Sequence, residues 1–296
     1  MTHMSEISIA AICPASPDGM CDMGPPRSFG DRSGRVGDVS VLRCRHCGLG
    51  VTHPPLADVA FLYEGRGTQD FQPTTVGLAR KIKDIAFRRD ARRLLRDIAA
   101  PPRRLLDFGC GSGLFTRCLG DVLPGCEVVG SDFDTDPPAE LADRRYVPNA
   151  KLDQEPADFD VVIAMHVIEH DDDPVGLVRR IAGMARSGGT IVFEVPNVDC
   201  VWADVFGEAW DAWYVPFHRI HFNRASLKSV VERGDLVVER QTDVCLPSMG
   251  RTLANLVGAR NTLPFLLAGV LLHPIQWVGE RLTGRPSALR IVARKP

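Results

Sequence analysis

From Arg104 onward the chain alternates nearly continuous apolar runs with stretches in which apolar residues recur every three or four positions. The runs Arg104–Phe108, Glu127–Ser131, Phe159–Met165 and Thr190–Val195 predict strands. Between them, Leu114–Asp121 and Pro174–Arg186 predict helices, the second closed by Ser187-Gly188-Gly189. Runs as uniformly apolar as FDVVIAMHV belong to strands covered on both faces, and their alternation with helices predicts an α/β fold with a doubly wound, mostly parallel sheet. An aromatic-rich stretch follows (Trp202 to Phe222), then a helix over Arg224–Arg233 and strands over Leu236–Gln241 and Ala288–Ala293. Ahead of this region a helical pattern runs from Thr75 to Ala99, stopped by Pro101 and Pro102. The first 75 residues are irregular, with Gly and Pro clustered in DMGPPRSFGDRSGRVGD and one β-like run, Asp38–Arg43. The division drawn is a Cys-bearing segment, 1–75, and a ligand-binding domain, 76–296, with a lid insertion at 198–223 and an apolar insertion at 246–286.

Composition changes this picture little. The 296 residues are 45% apolar and 24% charged with a formal net charge of −2, which gives no global attraction to polyanions. The nine cysteines are not spaced as a disulfide framework, and Met1 to Ala11 lacks the basic and apolar regions of a secretion signal. The expectation is a reducing, cytoplasmic setting. The apolar stretch Leu263–Val278 is broken by Pro264, His273 and Pro274 and falls short of the roughly 20 residues needed to span a bilayer. It reads as an amphipathic hairpin that covers a pocket or dips into a membrane surface. The basic helix RKIKDIAFRRDARRLLRD is either a solvated face or a docking face for phosphate or anionic lipid.

The chemistry starts at LLDFGCGSG, Leu105 to Gly113, placed between a predicted strand and a predicted helix. Gly109, Gly111 and Gly113 permit positive φ and close approach of the backbone to a ligand. About twenty residues later VVGSDFD ends the next strand in Asp132, where a carboxylate accepts hydrogen bonds from ribose hydroxyls. Together they predict a nucleoside-containing cofactor; the alternative is a tight turn with a surface aspartate.

These motifs, with FDVVIAMHVIEHDDDP, resemble those of class I S-adenosylmethionine-dependent methyltransferases, in particular the group that includes ubiquinone-biosynthesis O-methyltransferases and sugar and natural-product methyltransferases. The resemblance covers Leu105 to Pro296 and implies a seven-stranded Rossmann-like sheet with an antiparallel last strand, ALRIVARK. It implies that Asp107 and the three glycines lie against the methionine moiety, Asp132 on the ribose, Phe133 beside the adenine and Asp153 near the adenine amine, with Met165 and His166 completing the cofactor set. His166, Glu169 and His170 either hold a divalent metal or shape the cofactor pocket. The base candidates are His218, His221 and His170, of which His218 matches the family position best; Asn223 is the expected N-cap of the helix that follows. Trp202, Trp210, Trp213, Tyr214 and Phe217 form an acceptor pocket or an ordinary core. CRHCG resembles half of a zinc ribbon, so Cys13, Cys21, Cys44 and Cys47 are either zinc ligands or thiols of a degenerate remnant.

The implied activity is methyl transfer to a small-molecule or lipid-linked acceptor, at a hydroxyl oxygen. An RNA-directed methyltransferase and a non-catalytic cofactor-binding regulator are the alternatives. Nucleic acid is disfavoured by the charge and by MHVIEH standing where base aminomethylases carry Asn/Asp-Pro-Pro-aromatic. Peripheral membrane contact through 263–278 is permitted, and oligomeric state is left open.

Overall fold

The structure is a computed structural model that describes residues 13–16, 22–31, 33–56, 58–62, 77–96, 98, 100–259 and 262–296. Met1–Ala11, Cys21 and the predicted helix ends Thr75 and Ala99 lie outside the described residues.

Three strands come first: β1 (Arg27–Phe29), β2 (Val39–Arg43) and β3 (Gly50–His53). Helix α1 (Gly77–Arg96) leads to β4 (Arg104–Phe108), α2 (Leu114–Val122), β5 (Glu127–Ser131), β6 (Arg145–Tyr146) and α3 (Asn149–Leu152). Next are β7 (Phe159–Met165), α4 (Pro174–Met184), β8 (Ala185–Pro196), α5 (Val201–Phe206) and the short β9 (Ile220–His221). The chain closes with α6 (Arg224–Arg233), β10 (Val237–Val244), α7 (Met249–Leu256), α8 (Leu263–Thr283) and β11 (Ala288–Arg294).

Seven strands form one sheet in the order β10-β11-β8-β7-β4-β5-β6, with β11 antiparallel to both neighbours. The strands are apolar at odd and even positions alike because both faces are buried. Leu106, Phe108, Val162, Ala164, Ile191 and Phe193 pack with α4 and α6, while Leu105, Val161, Ile163 and Val192 pack with Ala91 and Leu94 of α1. Burial of such side chains contributes about 1.5–3 kcal/mol each before conformational entropy is subtracted. Local signals set the helix starts. Asp173 Oδ1 accepts from Gly176 N at 3.0 Å to cap α4, and Asn223 and Ser226 form a reciprocal capping box on α6, as the sequence predicts for Asn223.

β1, β2, β3 and β9 make a second, antiparallel sheet. Its last strand comes from the aromatic stretch, so residues before α1 are stitched directly to those around His218. Trp210 and Trp213 are buried here with Phe29, Val39 and Val41, and Phe217 is fully buried. The aromatics form a core between this sheet and the stretch that carries them.

Two expectations are corrected. Ser187-Gly188-Gly189 does not close the α4 helix; the helix ends at Met184, and these residues enter β8 because Gly188 N and Gly189 O pair with the Lys295 backbone at 2.9 and 3.0 Å. Leu263–Val278 is not a hairpin but most of the single helix α8. Pro264 falls in the first turn, where a missing N–H costs nothing, and Gly269 packs on Gly250 of α7, leaving no room for a Cβ, instead of making a turn.

Candidate functional site

The carboxyl ends of β4, β5 and β7 meet at one edge of the sheet, where an open α/β sheet binds its ligand. After β4 the turn glycines have φ of 77°, 53° and 76° at Gly109, Gly111 and Gly113, a region costly for residues with a Cβ. A Cβ on Gly109 would lie 2.5 Å from Val167, and one on Gly113 2.6 Å from Leu141. Those two glycines are thus demanded by the packing of the turn itself. At Gly111 the backbone N–H donates to Asp132 Oδ2 at 2.6 Å, while Phe133 N–H donates to Oδ1 at 2.7 Å. Phe133 beside it is 76% exposed, a flat aromatic surface at the strand end.

Asp107 is buried, and burial pushes its carboxyl up to about 7 against one hydrogen bond from Thr116 Oγ1 at 2.6 Å. Asp153 follows α3, mostly exposed, with its carboxylate 3.5 Å from Arg180. The residues that hold the Asp132 loop are ones the motif reading missed. Asn149 N–H donates to Asp132 O at 2.8 Å, and Tyr146 Oη donates to Asp134 O at 2.5 Å. Both stand in YVPN, between the runs Glu127–Ser131 and Phe159–Met165.

At the end of β7, Met165 packs against the core and the chain turns at His166, whose φ is +58°. The turn at His166 replaces the continuous helix expected through His166, Glu169 and His170, yet leaves Glu169 between the two histidines, beside His166 on one side and clustered with His170 on the other. His166 is sandwiched between carboxylates, Nδ1 3.3 Å from Glu169 Oε1 and Nε2 3.3 Å from Glu194 Oε1. Burial pulls its pKa down, but the two carboxylates outweigh that and hold it at about 10, so it is an imidazolium. Glu194 continues to Arg290 at 2.7 Å, and Arg290 to Asp90 of α1 at 3.2 Å. This gives a ladder of alternating charge, buried at Arg290 and Glu194, running from α1 to the site.

Glu169 is 1% exposed and neither of its oxygens makes a hydrogen bond. Its carboxylate, His170 and His218 form a cluster whose ligand-type atoms all lie within 4.8 Å of one another. A carbonyl only accepts, so His218 Nδ1 carries the proton it donates to Ala212 O at 2.8 Å, and His170 Nδ1 likewise donates to Phe217 O at 3.0 Å. Nε2 of His218 is therefore the basic nitrogen, 4.0 Å from Glu169 Oε1. Burial, then the neighbouring His170 and His221, lowers the His218 pKa well below the ordinary histidine value, and burial lowers that of His170. Both rings are neutral at pH 7.

The structure does not bring His221 into this cluster. Thr52 Oγ1 donates to His218 O at 2.6 Å and so accepts from His221 Nε2 at 2.9 Å, while the His221 ring packs on Trp213. Burial drives its pKa down to about 3; it is a neutral strut between β3 and the aromatic stretch.

Arg219, fully buried between the two histidines, was also missed by the motif reading. Its backbone N–H donates to Glu169 O at 2.7 Å, Nη2 donates to Thr52 O and Pro54 O at 3.0 and 2.6 Å, and Nε meets Asp172 at 3.1 Å. One side chain thus ties β3, the Glu169 turn and the histidine loop together. Arg219→Met is expected to lower the unfolding free energy by about 3 kcal/mol, because it strands a carboxylate and two carbonyls. A denaturant midpoint unchanged from wild type would contradict that role.

At the chain's start, Cys13, Cys44 and Cys47 converge, with Cys13 Sγ 3.4 Å from Cys47 Sγ. Two backbone N–H groups, of His46 and Cys47, donate to Cys44 Sγ at 3.3 Å. Cys21 lies outside the described residues.

The sheet order, with the glycine turn and the acidic strand end at its carboxyl edge, is that of class I S-adenosylmethionine-dependent methyltransferases. The chain belongs to the methyltransferase-domain family, whose profile matches residues 80–241, more than half of it. The ubiquinone biosynthesis O-methyltransferase of Methylococcus capsulatus is 33% identical over 106 residues, 32% of this chain and 44% of that protein. The enzyme of the same name from Bordetella pertussis is 33% identical over 107 residues, covering 32% and 43%. The match thus spans less than half the length of these curated relatives. The fold is also similar to that of Haemonchus contortus phosphoethanolamine N-methyltransferase 2 in complex with S-adenosylmethionine, with TM-score 0.50 and 16% identity over 78% of this chain and 60% of that one.

Proposed function

We propose that this protein transfers a methyl group from S-adenosylmethionine to a hydroxyl oxygen of a small or lipid-linked acceptor, with His218 as the base. The observation that carries the reading is the neutral His218, its tautomer locked by Ala212 O and its Nε2 facing the buried carboxylate of Glu169. Both curated relatives named above are O-methyltransferases of ubiquinone biosynthesis, which supports oxygen as the acceptor atom.

The residues fit the cofactor. Asp107 is a buried carboxylate with a single neutral donor, suited to the ammonium group of the methionine moiety. Asp132 presents its carboxylate at the strand end for the ribose hydroxyls, and Phe133 offers its exposed face to the adenine. When bound, the cofactor supplies the methyl group as an electrophilic sulfonium substituent. The protein's part is to align the acceptor and handle its proton. His218 Nε2 takes the hydroxyl proton, and the imidazolium formed is stabilised by Glu169. His166, itself held by Glu194 and Arg290, stands against Glu169, with Nδ1 3.3 Å from Glu169 Oε1.

The test is to incubate the full chain with the cofactor and a set of phenol, catechol and amine acceptors, following S-adenosylhomocysteine and products by mass spectrometry. O-methylated product is expected; N-methylation alone, or cofactor binding without turnover on any acceptor, would overturn the reading.

The three clustered thiols fit a structural zinc site, which we also propose. Sulfurs about 2.3 Å from a tetrahedral zinc lie about 3.8 Å apart, within the spread of this cluster, and N–H groups donating to Cys44 Sγ favour the thiolate. Protein purified without chelator is expected to carry one zinc per chain, and Cys44→Ser to lose it and melt at lower temperature. A zinc-free wild-type chain that takes up none when zinc is added would exclude the site.

A further inference from the structure

Helix α8 is amphipathic in the inverse sense. Gln276 and Glu280 are its buried positions: Gln276 Nε2 donates to Leu246 O at 2.6 Å, and Glu280 accepts from Trp202 Nε1 at 3.2 Å and from Ser287 N at 3.0 Å. The outward positions are apolar. Leu263, Leu267, Val270, Leu271, Ile275, Val278 and Leu282 recur at helical spacing along one face, with Leu271 76% and Leu282 83% exposed. The stripe is about 28 Å long at about 1.5 Å per residue. Leu256 and Val257 at the end of α7 are exposed too, and Trp277 stands beside the stripe. Lone surface leucines need no account, but a continuous stripe of this kind marks an interaction surface.

The charges select the occupant. Between Cys245 and Pro286 the sequence holds four arginines and one acidic residue, Glu280, which is turned inward. Arg281 is exposed at the end of the stripe. Arg251 and Arg285 are taken up by Asp211 and Asp204 at 2.6 and 2.7 Å, so among the described residues the outer surface of this helical hairpin presents hydrocarbon, an interfacial tryptophan and one cation, Arg281, with no acidic group of its own exposed. A second copy docked on the same face would set Arg281 against a surface that has no carboxylate to receive it. The phosphates of an anionic bilayer would receive it. Among the described residues no helix is long and apolar enough to cross a membrane, so the helix would lie in the interface plane.

We infer that α8 and the end of α7 dock this protein on the surface of an anionic phospholipid bilayer. The inner side of the same hairpin reaches the site: Asp211 N–H donates to Thr252 Oγ1 of α7 at 3.2 Å, and the adjoining Ala212 supplies the carbonyl that holds His218. Docking would bring the wall behind His218 towards the lipid, a position suited to an amphiphilic acceptor. The surface itself does not depend on the catalytic reading.

The experiment is sedimentation of the full chain with phosphatidylglycerol/phosphatidylcholine vesicles and with pure phosphatidylcholine vesicles. Alongside run the double variant Leu271→Glu/Ile275→Glu and light scattering of both proteins. At least tenfold more wild-type protein is expected to sediment with the anionic vesicles than with the neutral ones, and raised salt should weaken it. The variant should remain in solution with an unchanged melting temperature. Absence of sedimentation with anionic vesicles, or equal sedimentation of wild type and folded variant, overturns the inference. So does equal binding to neutral vesicles, or a wild-type dimer that the substitutions dissociate.

Discussion

Replacing His218 by alanine is expected to lower methyl transfer by about 100-fold or more, the range that loss of a positioned general base produces, while cofactor affinity stays within about twofold. The two readouts separate because Nδ1 of His218 is held by Ala212 in the aromatic stretch, whereas the glycine turn and Asp132 sit on β4 and β5. The pH profile carries a second signature. Burial depresses the His218 pKa, so the ring is neutral and competent above that value and becomes protonated, hence inactive as a base, only below it. With the cofactor saturating, so that the Asp107 carboxyl at about 7 does not limit binding, turnover by the wild type should therefore stay flat as pH falls from 8 to about 6.5, the ordinary histidine pKa, with the acid limb lying lower. Turnover of His218→Ala equal to wild type would remove the histidine from the chemistry. An acid limb centred above 6.5 would remove the neutral, buried ring as its cause.

The other large effect is expected at the cofactor. Asp132→Ala should weaken S-adenosylhomocysteine binding at least tenfold in titration calorimetry, since a hydrogen bond to a charged group contributes about 1.5–3 kcal/mol and tenfold in affinity is about 1.4 kcal/mol. The substitution also frees Gly111 N–H and Phe133 N–H, which Asp132 holds at 2.6 and 2.7 Å, so the turn loses its support along with the ribose partner. Asp132→Asn keeps a carbonyl acceptor and should fall between the two. Wild-type affinity in a folded Asp132→Ala chain would remove the ribose assignment.

What could be read in advance divides by the kind of physics involved. β4, β5 and β7 run over the residues expected for them, because a strand buried on both faces shows as a short apolar run bounded by turn residues. The glycine turn was legible because positive φ selects glycine, and the α6 cap because Asn223 completes its own hydrogen bonds within three residues. Glu194 and Arg290 were passed over as strand residues, although a charge inside IVFEV and another inside ALRIV were a visible anomaly. They meet because the antiparallel register of β11 on β8 sets them directly opposite, which pairs residues 96 positions apart.

The sequence by itself determined the alternation of strand and helix, the family, the cofactor turn with its acidic partner, and the histidines that are candidates for a base. Those properties are local, since burial, backbone conformation and capping are written into a few consecutive residues. Only the tertiary structure decided that His218 rather than His221 faces Glu169, that His166 is a cation between two glutamates, and that α8 turns its polar residues inward. Each of these depends on which distant group stands opposite. A histidine's proton follows the carbonyl or carboxylate it meets, and a helix face is outer or inner only once the rest of the chain has packed.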